Sequence, residues 1–173
     1  MIRFHLSIAQ NAYSVKGTFK NPFQGNVYLI RGGEKDSAVV HDRSFSFQGE
    51  TLLPTFSYIT IKSSKSIGLV PFYIGDGDIV MELDTLTKTG ERKSGKFEVL
   101  NIQTRFLQQG NTDRLIDSVS KLITARTKHI SDKEAKACEI RKIITEFLKP
   151  NPVSVAQAAI LQRNSGYFDK KTL

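Results

Sequence analysis

The sequence predicts an α+β protein in which an antiparallel β-sandwich or barrel-like domain precedes a helical segment of three to four helices. Three observations carry this. Residues 12–84 hold short runs rich in β-branched and aromatic residues, set at intervals of roughly 8–12 residues with Gly, Asn and Asp between them. No crossover-helix pattern lies among these runs, which argues against a parallel sheet. After about residue 96 the apolar spacing lengthens to that of amphipathic helices. The expected divisions are therefore 1–10 as a start segment, 11–96 as the β-domain and 97–173 as the helical segment.

The strands follow in order. "YSVKGTF" alternates Tyr13, Val15 and Gly17 with Ser14, Lys16 and Thr18. "GNVYLIRGG" is an apolar run ended by two glycines. "DSAVVHDRSFSFQGE" reads as two strands around a turn at His41-Asp42-Arg43, with Ala38 and Val40 on one face and Phe45, Phe47 and Gly49 on one face of the next strand. "FSYITIKSS" alternates Phe56, Tyr58 and Thr60 with Ser57, Ile59 and Ile61. Pro71 in "IGLVPFYI" marks an edge strand or a bulge, because proline has no N–H for a ladder. "DIVMELD" closes the series.

In the helical part, Val99, Ile102, Phe106 and Gln109 lie near helical spacing, and Gly110-Asn111 then interrupts. Leu115, Ile116, Val119, Leu122 and Ile123 form a second pattern. Ser131-Asp132-Lys133-Glu134 reads as a capping box with Ser131 as the cap, ahead of the stripe Ile140, Ile143, Ile144, Phe147 and Leu148. Pro150 and Pro152 stop that helix, and Ser154 can cap a further one over "VAQAAILQRN".

Composition sets limits on function. The chain has 173 residues and no run of eighteen apolar ones, so no transmembrane helix is expected. The net charge of +8 favours acidic partners in principle, such as nucleic acid or anionic surfaces. That charge is spread, at +3 over residues 1–110 (13 basic, 10 acidic) and +5 over 111–173 (12 basic, 7 acidic). A nucleic-acid site needs clustered basic residues with exposed aromatics. The Phe and Tyr residues are expected to alternate into the core, so none is assigned. One cysteine, Cys138, excludes an intrachain disulfide, a cysteine zinc site and a dithiol redox centre within this chain. "MIRFHLSIAQ" pairs Arg3 and a brief apolar stretch with Ser7-Ile8-Ala9, which reads as the tail of an export signal or as a frayed start.

Several constellations invite a chemical reading. Ser37, His41 and Asp42 hold the residue types of a nucleophilic triad, but positions 37 and 41 of a strand stand about 13 Å apart. A nucleophile and its base need about 3 Å. His5, His41 and His129 show no metal-binding spacing, and His129 suits a helix C-terminus. Asp76, Asp78, Glu82 and Asp84 in "GDGDIVMELD" lack an EF-hand register, and the Gly-Asp repeat fits a tight turn. "RGGEKD" lacks the ending of a phosphate-binding loop. Cys138 reads as a small buried hydrophobe. No catalytic, cofactor-binding or metal-binding residue is assigned, and no cofactor is expected.

Taken together, "AQNAYSVKGTF", "GNVYLI", "KDSAVVHDRSFSFQGE" and "PFYIGDGDIVMELD" resemble the β-rich domain of unknown function at the N-terminus of exported thioredoxin-like thiol-disulfide oxidoreductases of Gram-negative cell envelopes. "FLKPNPVSVAQAAIL" resembles the helical linker of the same family. Arg43 departs from the family's turn glycine, so a turn wider than two residues is expected there. The resemblance implies export to the periplasm or envelope and a non-catalytic accessory or interaction role, with a protein partner, a further C-terminal domain or a second copy to bind. No residue here matches the family's Cys-x-x-Cys centre, so its redox activity does not carry over. The alternative is a small-ligand-binding module. "IGLVPFYI" is the stretch expected to expose apolar surface, and an open sheet edge the means of pairing.

Overall fold

The computed structural model describes residues 11–62, 67–92, 95–149 and 154–168. The start segment 1–10 with His5, and the Pro150–Pro152 linker, lie outside the described residues. The chain divides at Gly110 into a β-unit and a helical unit, each taken by itself.

Eight strands build the β-unit: β1 (Asn11–Phe19), β2 (Asn26–Arg31), β3 (Glu34–Val39), β4 (Ser44–Thr51), β5 (Thr55–Lys62), β6 (Ile67–Ile74), β7 (Ile79–Arg92) and β8 (Gly95–Gln108). They form two four-stranded sheets in the orders β4-β1-β7-β8 and β3-β2-β5-β6. All pairings are antiparallel except β1 with β7. The fold is α+β with a sandwich-like arrangement, as the sequence predicts. Strand periodicity dictates the core: Tyr13, Val15, Gly17 and Phe19 are buried on β1 while Lys16 and Thr18 are exposed. Val27, Leu29, Ile59 and Ile61 from the second sheet are fully buried in the same cluster.

The β-unit runs further than the sequence indicates. Residues 97–108 are strand, not helix, and the boundary lies at Gly110 rather than residue 96. The residues packed on the core are Leu100, Ile102 and Phe106, a period of two interrupted by the polar Thr104. That interruption left Ile102, Phe106 and Gln109 looking helical. A strand here also supplies β7 with its long antiparallel partner.

The turn between β3 and β4 also differs. It is a two-residue turn in which Asp42 and Arg43 both take positive φ, 45° and 65°. The Ser44 N–H donates to the His41 carbonyl (2.7 Å) and the His41 N–H donates back to Ser44 (3.0 Å). Arg43 is held there because its carbonyl accepts from the Phe19 N–H (2.8 Å) and its guanidinium donates to the Lys20 carbonyl (3.2 Å). The flanking strands are not a hairpin in one sheet, since β3 belongs to one sheet and β4 to the other. Across β1 and β4, Gly17 stands opposite Phe45 and the Phe45 ring occupies the space a Cβ would need. Phe45 in turn contacts Phe19 (5.8 Å) and Phe47 (5.9 Å between centroids).

The helical unit has α1 (Asn111–Thr127), α2 (Lys133–Leu148), α3 (Val155–Arg163) and a short 3-10 turn at Ser165–Tyr167. Ile116, Val119, Ile140, Ile143, Ile144 and Ile160 are its buried apolar residues of full size. The cap of α2 is Asp132, which accepts from the Ala135 N–H (2.8 Å), not Ser131. A carboxylate beside the positive end of the helix dipole is the stronger cap. Ser154 caps α3 in a capping box with Gln157.

Two outcomes follow for stability. Gly17→Val drives a branched side chain into the Phe45 ring and should cost about 1–3 kcal/mol by urea denaturation, whereas Thr18→Val on the exposed face should change little. The Tyr13 hydroxyl is buried without a hydrogen-bond partner among the described residues, and burial pushes its phenol above the ordinary pKa against the pull of Arg31. The folded chain thus holds this proton more tightly than the unfolded chain, so its contribution is intact below about pH 10 and is lost as pH rises further. Tyr13→Phe should leave stability at pH 7 equal or up to about 1 kcal/mol higher, and should flatten the decline above pH 10 in a urea-midpoint series.

Candidate functional site

In the β3-β2-β5-β6 sheet, the residues that do not enter the core form an apolar outer face. β5 reads "TFSYITIK": Ser57, Ile59 and Ile61 point inward and are fully buried, so Phe56, Tyr58, Thr60 and Lys62 must point outward. The register aligns these with their neighbours. One row across the four strands is Lys35, Ile30, Tyr58 and Pro71. The next is Ser37, Tyr28, Thr60 and Leu69. Lys62 faces Ile67, and Phe56 faces Tyr73.

This face departs from the polar exterior expected of a sandwich. Ile67 and Leu69 are 58% and 59% exposed and Phe56 is 49% exposed, within one open concavity of about 650 Å³. Ile30, Tyr58 and Pro71 complete its apolar lining. Phe56 packs edge-on against Tyr73 with centroids 5.4 Å apart. The charges stand together: Lys35 Nζ lies 4.0 Å and Lys62 Nζ 5.8 Å from the centroid of the Tyr28 ring. Both ammonium groups are thereby fixed over the ring's negative face, beside the apolar floor. The expectation that "IGLVPFYI" exposes apolar surface holds at Ile67, Leu69 and Pro71.

The sheet's edges are poorly suited to strand pairing. β3 carries Glu34, Lys35 and Asp36, and β6 carries Pro71. Charges and proline are the usual protection of an edge.

The residues nominated from sequence do not converge. Ser37 lies on exposed β3 opposite Tyr28, Asp42 lies in the turn, and His41 closes it through its pair of hydrogen bonds with Ser44. His41 lines a shallow depression with Lys16, Ser44 and Ser46. Of the acidic run, Glu82 pairs with Arg105 (3.5 Å) and Asp84 accepts from Asn21 (3.0 Å), while Asp76 and Asp78 sit in the β6–β7 turn. No group of three potential metal ligands forms among the described residues. "RGGEKD" contains a two-residue hairpin turn at Gly32-Gly33, closed by an Arg31–Glu34 ion pair (3.0 Å). His129 is exposed just beyond α1. Cys138 is exposed, contrary to the buried reading, because it falls outside the Ile140-Ile143-Ile144 stripe of α2.

Sequence reasoning sent the aromatics inward, and so missed Tyr28, Phe56 and Tyr58 on the outer face. The available signal was that β5 and β6 are apolar on both alternating faces. Leu69→Ser should therefore lower stability by less than about 1 kcal/mol, while Ile59→Ala on the opposite face should cost about 2–5 kcal/mol, both read from denaturant midpoints.

Comparison with curated proteins and with solved structures gives no match. The family model for a domain of unknown function (DUF4369) matches residues 13–103, from β1 into β8 and including the whole of the apolar face. That stretch is more than half of the chain, and the chain belongs to this family.

Proposed function

We propose that the β-unit is a non-catalytic interaction domain of an exported cell-envelope protein, and that it docks a protein partner through the outer face of β3-β2-β5-β6. The observation that carries this reading is the grouping of Phe56, Ile67 and Leu69, about half exposed or more, around one concavity. Exposed apolar patches of this kind mark interaction sites. Export, and an accessory role beside a thioredoxin-like oxidoreductase domain, rest on the resemblance of the sequence to such proteins. A small-ligand module is the second reading, favoured by a concavity volume within the ~300–1,000 Å³ of small-molecule sites.

Two experiments test it. A photo-crosslinking residue at position 69 in the intact protein, in its native host, should capture a defined partner. The same residue at position 18, on the exposed face of the other sheet, should not. Equal capture at both positions, or capture unaffected by Phe56→Ser, would rule out the face. Export is read from Cys138, the chain's single and exposed cysteine. A membrane-impermeant maleimide should label it once the outer membrane is opened, with Cys138→Ser as the blank. Labelling only after the inner membrane is broken would place the protein in the cytoplasm.

A further inference from the structure

We infer that the outer face of β3-β2-β5-β6 takes a short acidic amphipathic polypeptide segment, with an apolar side-chain row on the floor and Asp or Glu carboxylates against Lys35 and Lys62. This rests on the interaction-domain reading above and names the class of its partner. The chemistry is complementary on both counts. Ile30, Leu69 and Pro71 offer aliphatic surface, and the two ammonium groups over Tyr28 offer paired positive charge at its border.

Size points to a segment and not a large surface. The face spans four strands, about 14 Å, and six residues of β5, about 20 Å. Its footprint is thus roughly 300 Å², against about 800 Å² per partner in a stable interface. An extended segment of about six residues covers that length. The same shortfall, together with a net charge of +8 on each copy, disfavours a second copy of this chain. Nucleic acid would need free ring faces for stacking. Here the Tyr28 ring is covered by lysines, Phe56 packs against both Tyr73 and Tyr58, and Ile30, Ile67, Leu69 and Pro71 make the remaining floor aliphatic. The openness of the face, with Leu69 more than half exposed, suits a polypeptide better than an enclosed small molecule.

The test uses the full chain and two labelled peptides, one alternating leucine with glutamate and one alternating leucine with lysine. Fluorescence anisotropy should show the acidic peptide binding about tenfold or more tightly than the basic one at low salt. Leu69→Ser should weaken it by about tenfold. Lys35→Glu combined with Lys62→Glu should reverse the preference, and high salt should narrow it. Equal binding of the two peptides, binding indifferent to Leu69→Ser, or stronger displacement by a single-stranded oligonucleotide would each overturn the inference. So would a dimer in sedimentation that Leu69→Ser dissolves. If neither peptide binds while position 69 still crosslinks a partner in cells, the acidic class is wrong and the docking face stands. If position 69 crosslinks nothing either, both fail.

Discussion

The β-unit depends on the corner at His41–Ser44, where the chain leaves one sheet for the other. Asp42 and Arg43 both occupy the left-handed region there, which costs a residue such as arginine on the order of 1–2 kcal/mol. Two hydrogen bonds to the end of β1 offset that strain, one from the Phe19 N–H and one from the Arg43 guanidinium to Lys20. They also fix where β4 lies. With β4 beside β1, the Phe45 ring falls on Gly17, the one residue type that leaves room for it. The aromatic cluster Phe19, Phe23, Phe45 and Phe47 is built on that contact. Arg43 is thus a position at which tertiary hydrogen bonds override a local preference for glycine.

Much of this architecture is written in local pattern. Alternation on β1 identifies its inward residues, Pro71 marks β6 as an edge or a bulge and β6 is an edge, and Ser154 identifies the start of α3. What was not legible depends on partners distant in sequence. β8 is a strand because β7 pairs with it along almost its whole length, and its Thr104 disguises the period. Cys138 is a different case: it stands two positions before Ile140, about 200° around α2 and so away from the apolar stripe. The two-residue turn at Asp42-Arg43 follows from hydrogen bonds to residues some twenty positions earlier.

The apolar face was half legible for the same reason. A strand that is apolar on both faces is expected to be covered on both, as in a sheet carrying helices. Nothing local says which face of β5 meets the other sheet. That is decided by Ile59 and Ile61, which pack with Val27 and Leu29 and leave Phe56 and Tyr58 outside. Lys35 and Lys62 lie on different strands, 27 positions apart, and only the register brings both to Tyr28.

The energetics of such a face favour reversible recognition. Even if its whole footprint of roughly 300 Å² were apolar, covering this face would yield at most about 7.5 kcal/mol at ~25 cal/mol per Å². Association alone costs an estimated 4–15 kcal/mol in lost freedom. Burial of this patch by itself therefore gives weak binding, and affinity must come from further contacts or from tethering, which raises the local concentration of a partner. In that regime charge matters more than area. Lys35 and Lys62 sit at the border of the patch, where solvent keeps their net contribution small but leaves their influence on encounter and on partner choice intact. On the proposed reading, the floor would supply adhesion to many apolar segments and the lysine pair would decide among them by sign of charge.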